Sequence, residues 1–140
     1  MKKTILFLIF ALCALQASNA QSVESYIQEN YQLAQKVDSI FGIPASLCLA
    51  QAISSGYGNS PLAQNNNHFG YNASSYPSKE AAYMAYGKDI RALLGEMPKD
   101  ATVESLAEKL QNSPTFSEIG YSNQIIELLY KYNLKRFDRN

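Results

Sequence analysis

The chain has 140 residues, of which 46% are hydrophobic and 17% are charged, and its 12 basic side chains balance 12 acidic ones. This length suits one domain with a packed core, and the neutral balance argues against a polybasic surface for nucleic acid. Seven glycines and five prolines are too few for a collagen-like or low-complexity chain.

The first twenty residues have the three parts of a secretory signal peptide. A basic start is followed by the apolar run Thr4–Leu15, and the small residues Ser18 and Ala20 precede a cleavage point after Ala20. The apolar run is shorter than the roughly 20 residues that a membrane span needs. We therefore expect a cleaved signal over 1–20, no membrane anchor after cleavage, and export of one domain, 21–140, to the periplasm or the cell exterior.

Cysteine and histidine are scarce in that domain. Cys13 lies within the signal and follows Leu12, whereas a lipid-attachment cysteine needs a small residue before it. Cleavage leaves Cys48 alone, which excludes an intramolecular disulfide, and its apolar neighbours predict a small buried hydrophobe. One histidine and one cysteine cannot assemble a zinc site without several carboxylates, and no cluster of metal ligands is visible, so we expect no metal and no cofactor.

Apolar residues recur at three- and four-residue spacing through most of the domain, which predicts an all-α fold. The first helix ends at Gly42, and Pro44 opens a second, about Ala45 to Ser54. This second helix is apolar on nearly every side, so we expect it at the centre of the domain.

A glycine-rich turn follows the central helix at Gly56–Ser60, and Pro61 is expected to start a short helical turn. The stretch Gln64–Ser75 has the composition of a loop. Three further helices are predicted to begin at hydroxyl caps, namely Ser78, Thr102 and Ser122.

Three segments carry the functional information: Gly42–Ser46, Ala50–Ser60 and Asn66–Gly70. A buried helix that stops at a tight turn is suited to hold a polar side chain at a cleft. A plain structural corner between two helices is the alternative interpretation.

These segments resemble the bacterial endo-β-N-acetylglucosaminidases that cleave peptidoglycan, including autolysin glucosaminidase domains and the flagellar muramidase-like enzyme. Members of that family typically read Gly-Ile-Pro-Ala-Ser, then Ala-Gln-x-x-Leu-Glu-Ser-Gly-x-Gly, then Asn-Asn-His-Phe-Gly. The resemblance implies a small lysozyme-like helical domain. It also implies a ligand that is peptidoglycan or another N-acetylglucosamine-containing glycan.

The chain departs from this family where the family has its general acid. Ser54 stands in place of that Glu, and the segment is one residue shorter than the family pattern. A hydroxyl is far too weak an acid to protonate a leaving oxygen, and losing general-acid assistance typically costs 10²–10⁴-fold in rate. Glu80 and His68 are weak candidates for a displaced acid. Glu80 is expected to serve a helix N-terminus, and His68 to have a structural or hydrogen-bonding role.

The chain is also short after the Asn-Asn-His-Phe-Gly segment. Only Tyr71–Ser75 separates Gly70 from Tyr76, where the family has a hairpin lobe, so that lobe and one wall of the glycan groove are expected to be deleted. Candidate substrate-binding residues are those of the matching segments and nearby tyrosines, whose rings can stack on sugars. They are Tyr57, Asn66, Asn67, His68, Tyr71 and Tyr121.

Three functional hypotheses follow. The first is a catalytically inactive or impaired relative, a pseudoenzyme that still binds glycan. The second is an active glucosaminidase that uses a displaced acid. The third is a non-catalytic partner protein, either a regulator of an active hydrolase or an immunity or accessory factor in the envelope.

Overall fold

The computed structural model describes residues 21–72 and 74–139, so the predicted signal peptide lies outside the described residues. They form α-helices and short 3₁₀-helices without a β-strand, and the all-α prediction is therefore confirmed. None of these described helices is both long and apolar enough to cross a membrane. The α-helices are α1 (Val23–Phe41), α2 (Ala45–Ser54), α3 (Lys79–Leu94), α4 (Val103–Gln111) and α5 (Tyr121–Lys131). The 3₁₀-helices span Pro61–Asn65, Pro114–Phe116 and Leu134–Phe137.

Helix α2 is the centre of the domain, as the sequence predicts. Every residue from Ala45 to Ile53 is buried, and α1, α4, α5 and the last 3₁₀-helix all pack against it. Cys48 is fully buried, and this burial raises the pKa of its thiol well above the ordinary value. The thiol is therefore a core group and is protonated at neutral pH.

The N-terminus of α2 is capped by a residue far along the chain. Pro44 precedes the helix and offers no side-chain acceptor. The Ser46 backbone N–H instead donates to Asp138 Oδ1 at 2.7 Å, and the Ser46 hydroxyl donates to Asp138 Oδ2 at 2.6 Å. The neighbouring Arg139 pairs with the buried carboxylate of Asp38 at 2.8 Å. The segment after the last 3₁₀-helix thus holds the start of the central helix.

Two of the three predicted hydroxyl caps are confirmed. Ser78 accepts a hydrogen bond from the Ala81 amide at 3.0 Å, and Thr102 accepts one from the Ser105 amide at 3.1 Å. The prediction for Ser122 is wrong, because α5 begins at Tyr121 after Gly120.

The reason for this difference is a contact from another helix. The backbone N–H of Ser122 donates to Gln111 Oε1 at 2.7 Å, so a side chain of α4 satisfies the first turn of α5. Gly120 has a φ of 83°, the left-handed region that favours glycine.

Helices α1 and α3 approach closely at Gly87. A Cβ atom at this position would lie 2.4 Å from Cδ2 of Phe41 and 3.0 Å from Cγ1 of Val37. Such distances are well inside ordinary van der Waals contact. The absence of a side chain at Gly87 is therefore what lets the two helices pack at this spacing.

Candidate functional site

The C-terminus of α2 forms a corner whose backbone geometry explains the glycine in the sequence. The Tyr57 N–H donates to the Ala52 carbonyl, and the Gly56 N–H donates to the Ile53 carbonyl, both at 3.0 Å. These two bonds form a Schellman motif, in which Gly56 takes a φ of 109°. Ser54 is consequently the last residue of the helix.

A cleft of about 320 Å³ opens beside this corner. It is lined by the end of α2, by residues 69–71, by Thr115, Phe116 and Glu118, and by the start of α5. Three of the residues singled out from the sequence line it, namely Ser54, Tyr71 and Tyr121. A larger depression of about 540 Å³ lies near Pro44 and Asp138, at the other end of α2, and contains none of them.

Aromatic rings form much of the cleft. Phe116 stacks on Tyr121 with ring centroids 4.9 Å apart, and the Tyr71 ring lies 5.7 Å from Phe116. Phe69 continues this surface inward by stacking on Tyr86 at 4.1 Å. Aromatic rings with polar tips, such as that of the half-buried Tyr71, are groups on which a pyranose ring can stack.

The hydroxyl of Tyr71 is held by a carboxylate outside the cleft. Tyr71 Oη donates to Asp89 Oδ2 at 2.6 Å. Burial, together with the nearby negative charge of Asp89, raises the pKa of Tyr71 far above its ordinary value. The phenol therefore stays protonated, and its hydrogen bond fixes the position of the ring.

Gln51 connects the cleft to the core. It is buried in α2; its side-chain Nε2 donates to the hydroxyl of Tyr121, and its Oε1 accepts from the hydroxyl of Tyr86. Burial raises the pKa of both tyrosines, so both carry their protons. The sequence reasoning missed Gln51 as a site residue. Its signal is that it is the one amide side chain within an otherwise apolar helix.

Glu118 is the acidic residue among those that line the cleft. It is exposed, and its backbone carbonyl accepts hydrogen bonds from Gln111 Nε2 at 2.6 Å and from the Tyr121 N–H at 3.1 Å. The sequence reasoning missed it because Glu118 is 64 positions from Ser54. No local pattern indicates that the two residues share a cleft.

His68 lies outside the cleft, on the side of the corner that faces α1 and α3. Its Nδ1 is 2.8 Å from Tyr26 Oη, which is itself 2.6 Å from Tyr83 Oη. Burial and the charge of Lys79 lower the pKa of His68. The imidazole is therefore predominantly neutral near pH 7 and belongs to a network of hydroxyl groups.

The two asparagines organise the loop before α3 and do not line the cleft. Asn66 has a φ of 60°, and its side chain donates to the Tyr76 carbonyl at 2.9 Å. The buried Asn67 donates to the Asn72 carbonyl at 2.7 Å, and its Oδ1 accepts from the Gly70 amide at 3.1 Å. These bonds fix the turn that leads to Tyr71.

Tyr57 and Glu80 also lie away from the cleft lining. Tyr57 is the residue after Gly56 in the Schellman motif and has a φ of 41°. Glu80 is in the first turn of α3, and its exposed carboxylate forms an ion pair with Lys36 of α1. Within the described residues, no group of His, Cys, Asp and Glu side chains is arranged to hold a metal ion.

Comparison with known families agrees with this architecture. The family model described as glucosaminidase (mannosyl-glycoprotein endo-beta-N-acetylglucosaminidase) matches residues 31–134. The matched span includes α2, the corner after it, residues 66–70 and Tyr121. No curated protein matches the chain.

Proposed function

The chain belongs to the glucosaminidase family, and from this premise we propose that it is an exported glycan-binding protein. Its ligand is an N-acetylglucosamine-containing glycan, with peptidoglycan as the natural source. The protein cleaves this glycan very slowly or not at all, and it acts by binding.

The observation that carries this proposal is the presence of Ser54 at the end of α2, facing the cleft. By the family resemblance, this is the place of the general-acid Glu. The Schellman motif closes the helix directly after Ser54, so the shortened segment still forms a well-bonded corner. A hydroxyl at this point can hydrogen-bond a sugar but cannot protonate a glycosidic oxygen.

The rest of the cleft supports binding. Three aromatic residues line it: Phe116 stacks on Tyr121, and the Tyr71 ring is tilted against Phe116. Stacking on sugar faces needs such a surface and does not need the hairpin lobe that the chain lacks. Tyr71 is held in place from behind by Asp89, which lowers the entropic cost of binding.

Two assays on purified sacculi test the proposal. We expect the protein to be retained on sacculi in a pull-down and to cause no fall in turbidity from pH 5 to pH 8. Tyr71→Ala should lose retention, whereas Lys88→Ala, on the exposed face of α3, should keep it. A protein that is not retained but co-purifies with an envelope hydrolase would instead support the regulator hypothesis.

Glu118 favours a second candidate function, an active glucosaminidase with a displaced acid. Glu118 is the acidic residue among those that line the cleft together with Ser54. If sacculi are cleared, Glu118→Gln should abolish the clearing, while Glu80→Ala and His68→Ala should not. Clearing that survives Glu118→Gln would remove this candidate acid.

Export is the part of the proposal that rests on residues 1–20. The basic start, the apolar run and the small residues Ser18 and Ala20 support cleavage after Ala20. Sequencing the N-terminus of the exported protein should find Gln21 as its first residue. An N-terminus at Met1 would contradict the predicted cleavage.

A further inference from the structure

The side chain of Gln51 links Tyr86 to Tyr121 by two hydrogen bonds, and the donor and the acceptor of each bond can be assigned. Tyr86 is almost completely buried, at 1% exposure, so its hydroxyl hydrogen needs an acceptor inside the protein. Among the described residues, its hydroxyl has one hydrogen-bond partner, Oε1 of Gln51. A buried hydroxyl without an acceptor is costly, and this requirement fixes the orientation of the Gln51 amide.

The orientation of Gln51 then determines what Tyr121 presents to the cleft. With Oε1 directed to Tyr86, the amide group that reaches Tyr121 is Nε2, a donor. The Tyr121 oxygen therefore accepts from Gln51, and its own hydrogen is free to point elsewhere. In the part of the chain that the structure describes, the Tyr121 hydroxyl has Gln51 as its one hydrogen-bond partner, and Tyr121 lines the cleft. We therefore infer that this hydrogen is available to a molecule bound in the cleft or to solvent.

We propose that Gln51 is a positioning residue that makes the Tyr121 hydroxyl a hydrogen-bond donor to an acceptor oxygen of the bound glycan. The chain of bonds runs from Tyr86 through Gln51 to Tyr121 and ends on the ligand. This inference rests on the proposed function for its ligand, but the direction of the bonds is a property of the protein alone.

A substitution that makes Tyr121 the donor in its hydrogen bond with residue 51 gives the sharpest test. In Gln51→Glu, an ionised carboxylate accepts from both tyrosines, so the Tyr121 hydrogen turns inward and the cleft loses its donor. A protonated carboxyl has one C=O acceptor and one O–H donor, which restores the arrangement of the amide. Burial raises the pKa of such a carboxyl. The groups that face it are the two tyrosine hydroxyls, and Glu118 is the charged residue lining the adjacent cleft.

We therefore expect a pH-dependent loss of affinity in the variant. With tetra-N-acetylchitotetraose as the probe in calorimetry, Gln51→Glu should bind about tenfold more weakly than the wild type at pH 8.5. It should recover most of this loss at pH 5. Gln32→Glu adds the same charge on the exposed face of α1 and should follow the wild type at both pH values.

Equal losses at both pH values would mean that Gln51 is merely structural. Unchanged affinity at a pH where carbon-13 NMR shows the introduced carboxyl to be ionised would mean that the orientation of Gln51 does not matter. Either result overturns the proposal. If Gln51→Glu does not fold, Tyr86→Phe serves as the second variant. It frees the amide to turn over without altering the cleft lining, and a folded Tyr86→Phe with wild-type affinity would also overturn it.

Nuclear magnetic resonance tests the direction without any ligand. The side-chain amide protons of Gln51 should give stronger nuclear Overhauser effects to the ring protons of Tyr121 than to those of Tyr86. The opposite pattern would overturn the inference whatever the protein binds. A wild type with the expected pattern that binds neither the probe nor sacculi would instead refute the proposed function.

Discussion

Replacing Gly87 by alanine tests whether the close approach of α1 and α3 is needed for stability. Alanine has the higher helix propensity, by about 1 kcal/mol, so a position governed by propensity alone would gain stability. Here the new Cβ would meet Phe41 Cδ2 at 2.4 Å and Val37 Cγ1 at 3.0 Å. To restore an ordinary contact distance of about 3.5–4 Å, the Phe41 ring must move away from the new Cβ by about 1 Å.

Overpacking of this kind costs about 1–3 kcal/mol, and the short distance to Phe41 places Gly87→Ala at the upper end. Subtracting the propensity gain leaves a net loss of about 2 kcal/mol in the free energy of unfolding. For a domain of this size, the midpoint of thermal unfolding should fall by about 8 °C. Chemical denaturation and calorimetry measure both quantities, with Lys88→Ala as the neighbouring exposed control.

The double substitution Phe41→Leu with Gly87→Ala separates packing from other causes. The smaller side chain removes the ring atoms that the new methyl group would meet, so the cost of Gly87→Ala should fall below about 1 kcal/mol in that background. A Gly87→Ala protein that is as stable as the wild type would refute the packing argument. Equal costs in both backgrounds would do the same.

Three other predictions concern single side chains. Tyr71→Phe should cost about 1.5 kcal/mol in stability, because a carboxylate loses its O–H donor. It should nevertheless keep most of the retention on sacculi that Tyr71→Ala loses, because the ring remains. At pH 7, Glu104→Gln should cost about 1 kcal/mol in urea unfolding. Burial opposes ionisation of Glu104, but hydrogen bonds from Lys135 and Tyr130 outweigh it and lower its pKa from 4.5 to about 2. The difference in the free energy of unfolding between the wild type and Glu104→Gln should therefore be full above pH 4.5 and disappear as the pH falls to 2. In a Cys13→Ser background, Cys48 should react with a thiol reagent only at the rate of unfolding.

Each of these predictions has a distinct contrary result. Retention lost equally in Tyr71→Phe and Tyr71→Ala would mean that the ring is not the binding element. A Glu104→Gln difference that persists at pH 2 would show that charge is not its cause. Fast modification of Cys48 under native conditions would contradict its complete burial.

The helices and most of their ends could be predicted because their causes are local. The apolar residues of α2, the glycine at 42 and the hydroxyls of Ser78 and Thr102 act within one or two turns of their own positions. The start of α5 could not be predicted in this way. Its first turn is satisfied by Gln111 from another helix, so the hydroxyl of Ser122 is not needed as a cap.

The candidate site could be predicted only in part, for the same reason. Ser54 follows from the motif and the end of an apolar helix, both of which are local. Glu118 and Phe116 reach the cleft because the chain returns to α2 after α4, a property of the tertiary fold. Gln51 can be recognised in the sequence as an amide residue in a largely apolar helix, but the orientation of its side-chain amide depends on Tyr86, which lies 35 residues away.

The contact between Ser46 and Asp138 also bears on how the protein is made. The acceptor for the first turn of the central helix is 92 residues downstream of it. During synthesis, α2 leaves the ribosome long before this acceptor exists, and its amide at Ser46 must stay hydrated until then. The hydrogen bonds that cap the start of α2 can therefore form only after Asp138 has been synthesised, which favours a late and cooperative completion of folding.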